Sequence, residues 1–280
     1  MCAVVTGAAS GIGRGLATVL ADRGLNVVAV DLPGPALEGV AAVLGDTGAR
    51  VLPVGADVRL RASMQDAARA AADAFGPVDL LCNNAGVVGP YRPVWEQRDE
   101  DWAWVHSVDL LGVVHGISAF VPAMVERGRG HVVNTASMEA LCPIPIGGNA
   151  PYAAAKAGVL ALSRTLRTDL RRAGAEVGVS VAAPGPVATA IRDSERRRPD
   201  ELRVAGEPAP VLPPVDFGYE RITADVAAAR IVEGVEDDRF LVLPNRGSEA
   251  DARAGLTQLL DEAEAELEIT GTEGRESSCS

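Results

Sequence analysis

Met1-Cys2-Ala3-Val4-Val5-Thr6-Gly7-Ala8-Ala9-Ser10-Gly11-Ile12-Gly13 opens the chain. Residues 2–6 form a short apolar, largely β-branched run that reads as a buried strand. Gly7, Gly11 and Gly13 mark a turn. Beyond it Ile12, Leu16, Val19 and Leu20 recur at helical spacing. A strand, a glycine turn and a helix make a phosphate-binding arrangement. Glycines let the backbone approach a pyrophosphate, and the helix start offers free N–H groups and a positive dipole end. The next apolar run, Asn26 to Val30, ends in Asp31. A carboxylate at that strand tip can take both hydroxyls of an adenine ribose and repels a 2′-phosphate.

The same alternation continues along the chain. Strands are predicted at 2–6, 26–31, 50–54, 78–82, 131–136, 177–183 and 239–243. Helices are predicted at 11–24, 35–45, 61–75, 99–127, 151–173 and 223–235. Near-continuous apolar strands alternating with helices predict an α/β fold with one doubly wound parallel sheet of about seven strands and helices on both faces.

Tyr152 and Lys156 stand four apart, which puts them on one face of a helix. An ammonium near a phenol favours phenolate, so Tyr152 is a candidate general acid/base whose pKa Lys156 lowers. Ser137 lies upstream, at the end of the strand Val132-Val133-Asn134-Thr135-Ala136. Strand ends of this kind are where ligands bind in such sheets.

Taken together, Thr6-Gly7-x-x-x-Gly11-x-Gly13, Asn83-Asn84-Ala85-Gly86, Ser137, Tyr152-x-x-x-Lys156 and Pro184-Gly185 resemble the short-chain dehydrogenase/reductase family in order and spacing. The resemblance covers residues 1 to about 245. It implies a Rossmann-type catalytic domain over 1–245, a nicotinamide cofactor, and hydride transfer between an alcohol and a carbonyl. By resemblance Ser137, Tyr152 and Lys156 are catalytic residues, Asp109 occupies the fourth catalytic position, and Tyr152 and Lys156 also bind the cofactor, with Lys156 on the nicotinamide ribose. Gly7, Ser10, Gly11, Ile12 and Gly13 form the cofactor turn. Asp31 is expected at the ribose and Asp57 with Val58 at the adenine. Asn84, Ala85 and Gly86 lie beside the adenosine ribose, while Pro184, Gly185, Val187 and Thr189 border the nicotinamide. Ser10 stands where NADP-preferring relatives often carry Arg or Lys. With Asp31, it favours NAD.

One position departs from the family pattern. The usual V-N-L-x-G reads Val108-Asp109-Leu110-Leu111-Gly112 here, so Asp109 replaces the Asn that helps a water reach the lysine. Asp109 is the one hint toward a second reading, a dehydratase, epimerase or cyclase that uses Tyr152 for proton transfer. A third reading, a non-catalytic dinucleotide-binding protein, is opposed by the intact Ser137, Tyr152 and Lys156.

Composition narrows the partners. Hydrophobic residues make up 48% and aromatics 4%, so a core of Ala, Val and Leu is expected. The formal net charge is −12, which argues against nucleic acid or an anionic membrane as partner. The sequence shows neither an uninterrupted apolar run of spanning length nor a basic leader, and Cys2, Cys82, Cys142 and Cys279 lack metal-ligand spacing. The expectation is a cytoplasmic enzyme with free thiols and no metal. His106, His115 and His131 read as structural or surface residues.

Two segments break the alternation. Residues 189–222 are rich in proline and charge, including Glu195-Arg196-Arg197-Arg198-Pro199 and 208–214. A long irregular insertion of this kind is a lid or binding loop, or else disordered; the family resemblance implies that it covers the substrate. The arginine run could bind an acidic group, but is expected on a solvated face. Residues 246–280 form an acidic tail; within it 249–280 hold nine acidic and two basic residues. It is expected to be helical to about 268, then disordered, and without chemistry.

The stretch 141–151, together with Val87, Val88, Pro90, Tyr91 and Trp95, suggests a mostly hydrophobic pocket for an apolar small molecule. Small and apolar residues on 99–127 and 151–173, such as Ala153, Ala154, Ala157, Leu160 and Leu162, suggest a homodimer or homotetramer, because the matching helices pack on their mates in the family.

Overall fold

A computed structural model describes every residue except 46–47, 143, 145–146, 204–217 and 277–280. The Pro-rich stretch 208–214, Pro143, Pro145, Ile146 and the extreme C-terminus with Cys279 therefore lie outside the described residues.

Seven parallel strands make the main sheet. They are β1 (Cys2–Thr6), β2 (Asn26–Asp31), β3 (Val51–Gly55), β4 (Leu80–Asn83), β5 (Arg129–Thr135), β6 (Glu176–Ala182) and β9 (Leu241–Val242). Their order is β3-β2-β1-β4-β5-β6-β9. The order reverses between β1 and β4, and parallel open sheets bind ligands at the carboxyl edge of such a switch point. Register is continuous there, with Val5 opposite Ala29 on one side and Cys82 on the other. Two short strands, β7 (Val187–Ala188) and β8 (Ile222–Thr223), pair separately in the loop region.

The helices are α1 (Gly11–Asp22), α2 (Pro35–Gly45), α3 (Arg61–Phe75), α4 (Asp99–Asp109), α5 (Leu111–Arg127), α6 (Ala150–Arg172), α7 (Ala224–Glu236) and α8 (Ser248–Glu276). One buried cluster joins α1, α2 and α7 to one face of the sheet through Leu16, Leu20, Leu44 and Ile231. The other face carries α3, α5 and α6 over Val4, Val28, Leu81 and Val132, with Met64, Phe120, Met124 and Leu170 in the cluster. The core is built from Ala, Val, Leu and Ile, as the scarcity of aromatics requires. Among the described residues, Trp104 is its largest fully buried side chain.

Three expectations are corrected. The predicted helix 99–127 is two helices, α4 and α5, broken at Leu110 (φ −111, ψ −57). At the break the Asp109 carboxylate bonds to other segments, and Leu110 packs over Gly158, leaving its Cδ1 3.2 Å from where a Cβ would stand. The segment is long and apolar enough to cross a membrane by composition. Its apolar faces, however, pack on α3, α6 and the sheet.

The arginine run is not a solvated face. Arg198 is buried against Trp104 and ion-pairs with Asp101 of α4, also buried. Arg197 reaches the Ser10 hydroxyl at 3.3 Å, and only Arg196 is exposed. Asp101 and Arg198 thereby fasten the loop onto α4.

The tail, finally, stays helical to Glu276 rather than to 268, and its first turns belong to the body of the protein. Ala252 is buried with Met138, Leu141 and Ala183. A Cβ on Gly255 would stand 2.4 Å from the Leu141 carbonyl oxygen, so glycine is what lets α8 approach this closely.

Candidate active site

The glycine turn is built around contacts that exclude side chains. Gly7 has φ +69, and a Cβ there would lie 2.9 Å from the Ala85 Cα. A Cβ on Gly13 would stand 2.1 Å from the Gly7 carbonyl oxygen. Gly13 thus sets the packing of the turn, while Gly7, Ser10, Gly11 and Ile12 line a cavity above it. The Thr6 hydroxyl accepts from the N–H groups of Asn84 (2.9 Å) and Ala85 (3.0 Å). The Asn84 amide donates to the Thr6 carbonyl at 3.0 Å. These bonds tie the end of β1 to the end of β4 across the switch point.

Asp31 lies at the tip of β2 and lines the same cavity. Its carboxylate accepts from the N–H groups of Ala9 (2.9 Å) and Leu32 (2.8 Å), which fixes its orientation. Asp57 and Val58 lie alongside, but the Asp57 carboxylate is held by Arg59, whose Nη2 stands 2.8 Å away. Arg59 also pairs with Glu201. His115 bonds the Val58 carbonyl at 2.8 Å and has a structural place there.

The residues fit a dinucleotide. Two glycines open the backbone, the N-terminus of α1 borders the cavity, and a carboxylate held by two N–H groups lines the same space, able to accept from hydroxyl groups. On the other side of the cavity, Asn245 holds the Pro184-Gly185-Pro186 turn. It accepts from the Gly185 N–H (2.9 Å) and donates to the carbonyls of Pro186 (3.0 Å) and Glu220 (3.1 Å). Nothing in the sequence flanking Asn245 signals this role, because its partners lie 25 to 60 residues away.

A second cavity, of about 890 Å³, adjoins the first. Ile12, Tyr152, Pro184, Thr189 and Ile191 line both. Tyr152 therefore stands at the joint, with Lys156 and Gly86 on the glycine-turn side and Ser137, Gly185 and Val187 on the larger side. Ser137 follows β5, and its hydroxyl accepts from the Glu139 N–H at 3.2 Å.

Lys156 is buried at one turn's distance from Tyr152, its Nζ 5.5 Å from the ring centre. It donates to the Thr135 carbonyl at 3.0 Å and ion-pairs with Asp109 Oδ2 at 3.1 Å. Asp109 Oδ1 accepts from the Val87 N–H at 2.8 Å, and the residue is 0% exposed. Burial pushes the Asp109 carboxyl up, while Lys156 and the Val87 N–H pull it back.

The Tyr152 phenol is not lowered in this state. Burial holds it well above its ordinary range, the charges of Glu139 and Asp109 add to that, and a hydrogen bond with Ser137 opposes them. The expected downward push from Lys156 is offset at its source, because the carboxylate of Asp109 lies against the ammonium.

The larger cavity is less apolar than the sequence suggested. Met138, Ile144, Val187 and Ile191 line it, but so do Glu139, Arg192, Arg221 and, from α8, Asp251 and Gln258. The reading of 141–151 as the pocket wall left out both the charge two residues after Ser137 and the tail. Glu139 could have been noticed as a charged residue in an otherwise uncharged stretch. The approach of α8 has no sequence signal beyond Gly255.

The comparisons agree with this geometry. Residues 1–200 match the family model described as short chain dehydrogenase. The chain is 39% identical over 256 residues to a 1-deoxy-11-beta-hydroxypentalenate dehydrogenase of Streptomyces avermitilis, covering 91% of this chain and 86% of the relative. It is 32% identical over 254 residues to a levodione reductase of Leifsonia aquatica, covering 89% and 94%. Among solved structures, a short-chain dehydrogenase/reductase from Burkholderia phymatum in complex with NAD superposes with a TM-score of 0.83 at 37% identity, covering 90% and 91%. With a parallel sheet switching at a glycine turn, a tyrosine at the joint of two cavities, and relatives of this kind along most of its length, the chain belongs to the short-chain dehydrogenase/reductase family of oxidoreductases.

Proposed function

We propose that the protein is an NAD-dependent oxidoreductase that interconverts a secondary alcohol and a ketone on a largely hydrophobic small molecule. The observation that carries this reading is the position of Tyr152 between the glycine-turn cavity and the larger one, flanked by Ser137 and Lys156. When bound, the nicotinamide supplies the hydride acceptor or donor. Gly7, Ser10, Gly11 and Ile12 would hold the diphosphate, Asp31 the adenine ribose, and Pro184 with Thr189 the nicotinamide end. In oxidation, Tyr152 as phenolate takes the hydroxyl proton. In reduction, the phenol returns it to the forming alkoxide, and the Ser137 hydroxyl stabilises charge on the same oxygen. Lys156 orients the site from the cofactor side. Asp109, the one feature that favoured a non-redox reading, is engaged by Lys156, so the redox reading is retained. NADH formation from a panel of hydrophobic secondary alcohols tests it; no turnover with either cofactor would reject it.

Cofactor choice follows from Asp31. Its carboxylate is fixed by two backbone N–H groups and cannot swing away from an approaching 2′-phosphate. NAD is therefore expected to bind at least about a hundredfold more tightly than NADP, since a like charge across a desolvated contact costs several kcal/mol. Calorimetric titration of both cofactors measures the ratio, and Asp31→Ala should narrow it. Equal affinities in the wild type would exclude this role.

The enzyme is further expected to be a homodimer or homotetramer. Ala154 and Ala157 of α6 face outward in the single chain, and Leu111 of α5 is 46% exposed. Small outward residues let helices of two subunits approach closely. Sedimentation at micromolar concentration should give a mass of two or four subunits; a single-subunit mass refutes the expectation.

A further inference from the structure

Glu139 has no part in the proton transfer described above, yet it faces the same reaction space. It lies on the turn Met138–Ala140 that follows β5. Its own N–H is bound to the Ser137 hydroxyl at 3.2 Å, so its backbone is fixed relative to a residue at the reacting oxygen. Its side chain lines the 890 Å³ cavity together with Ser137 and Tyr152. Both carboxylate oxygens lie 3.3 Å from one donor, the amide nitrogen of Asn149, itself only 3% exposed. That nitrogen also lies 3.3 Å from the Tyr91 hydroxyl oxygen. Among the described residues, two oxygens that can accept about four hydrogen bonds thus share one side-chain donor at 3.3 Å, which the Tyr91 hydroxyl also contacts. The remaining capacity is directed at the substrate cavity.

We propose that Glu139 is a specificity-determining residue that hydrogen-bonds a second hydroxyl of the substrate, so that the enzyme prefers a diol or hydroxyketone to the corresponding monofunctional alcohol or ketone. The inference rests on the alcohol–carbonyl reading above. Its proximity to the reacting position is read from electrostatics as well as from the shared cavity. Among the charges that act on the Tyr152 phenol, Glu139 comes first, and the Lys156 ammonium acts in turn on Glu139. The second hydroxyl is placed on a carbon neighbouring the reacting carbinol because Glu139 stands two residues from Ser137, is bonded to its hydroxyl through the backbone N–H, and lines the same cavity.

A hydroxyl suits this carboxyl better than an ammonium does. Burial pushes Glu139 up to about 7 against the pull of Asn149 and Lys156. Near neutral pH it exists in both forms, able to accept and to donate, as a hydroxyl is. An ammonium would need the ionised form throughout and would have to sit within the field of Lys156 and beside Arg192 on the cavity wall.

The test compares matched pairs. Cyclopentanol, cyclohexanol and decalinol are each oxidised alongside the vicinal diol of the same skeleton, with NAD in excess, by the wild type, Glu139→Gln and Glu139→Leu. The diol-to-alcohol ratio of kcat/KM cancels effects common to both substrates, including loss of active protein. In the wild type the ratio is expected to be about tenfold to a hundredfold, the range for one hydrogen bond to an ionisable group. Glu139→Leu should collapse it toward one by slowing the diol, and Glu139→Gln, which keeps the volume and an acceptor, should reduce it less. A wild-type ratio near one, or the same ratio in wild type and Glu139→Leu, overturns the proposal. If Glu139→Leu does not fold, an unchanged ratio in Glu139→Gln overturns it equally. Turnover of neither member of any pair, in a protein that still binds NAD by calorimetry, instead rejects the alcohol–carbonyl reading, and the proposal falls with it.

Discussion

Tyr152→Phe is expected to lower kcat/KM for alcohol oxidation by about 10²–10⁴-fold, the usual contribution of a positioned general acid/base. The change removes one oxygen from a ring that is 9% exposed and packed with Val87, Trp104, Val105 and Ala155. Phenylalanine keeps every one of those ring contacts. Stability should hardly move, because only the hydrogen bond with Ser137 is lost and the burial of a polar group is relieved. The cofactor cavity keeps its glycine turn and Asp31, so the NAD dissociation constant should stay within about threefold, well under 1 kcal/mol. The informative result is this split between turnover and binding. A variant that retains most of its activity would remove Tyr152 from the mechanism, whatever the fold.

The second large effect lies one turn further along α6. Lys156 and Asp109 form an ion pair whose side chains are 3% and 0% exposed. Breaking a buried pair by removing one partner typically costs about 3–5 kcal/mol, because the remaining charge is left without compensation. Lys156→Met is therefore expected to lower the melting temperature by on the order of 10 °C for a domain of this size. The double variant Lys156→Met/Asp109→Leu should recover much of that loss, since an apolar replacement of both partners is often neutral. It should remain inactive. Calorimetry on the two singles and the double gives the coupling directly. Additive losses would mean that the two groups do not interact in solution.

Asp109→Asn separates charge from shape in the same pair. The negative charge of Asp109 is one of the influences that raise the Tyr152 phenol. Removing it lowers the Tyr152 pKa. Oxidation requires the phenolate, so the pH–rate profile for oxidation should move to lower pH. A profile unchanged within about 0.3 unit, or roughly 0.4 kcal/mol, would show that the charge is screened from the phenol.

Much of this molecule could be read along the chain because its determinants are local. An apolar β-branched run such as Ala3-Val4-Val5 can be buried on both faces only in a parallel sheet covered by helices. Gly7 and Gly13 are the residues that permit the close turn, and the order of elements then leaves few topologies. The seven strands of the sheet follow from that reasoning to within about two residues at each end. The convergence of Ser137, Tyr152 and Lys156 was also legible, since two of them share a helix face and the third ends a neighbouring strand.

Failures of the sequence reading have a common cause, which is that each depends on a partner far away in the chain. The break at Leu110 lies where Asp109 takes up bonds to Val87 and Lys156. The arginine run looks solvated until Asp101, 97 residues away, takes Arg198 into the interior. The acidic tail looks inert until Gly255 lets α8 close against Leu141 and contribute Asp251 and Gln258 to the cavity wall.

The sequence by itself therefore determined the sheet, the glycine turn and the placing of Tyr152 and Lys156 on one helix face with Ser137 at a strand end, because periodicity and spacing fix which groups share a strand end or a helix face. Tertiary structure alone decided the electrostatics of the site and the character of the substrate cavity. A pKa depends on burial and on charges within a few ångströms, and those neighbours, Asp109 beside Lys156 and Glu139 before Tyr152, come together only when segments from different parts of the chain pack around one space.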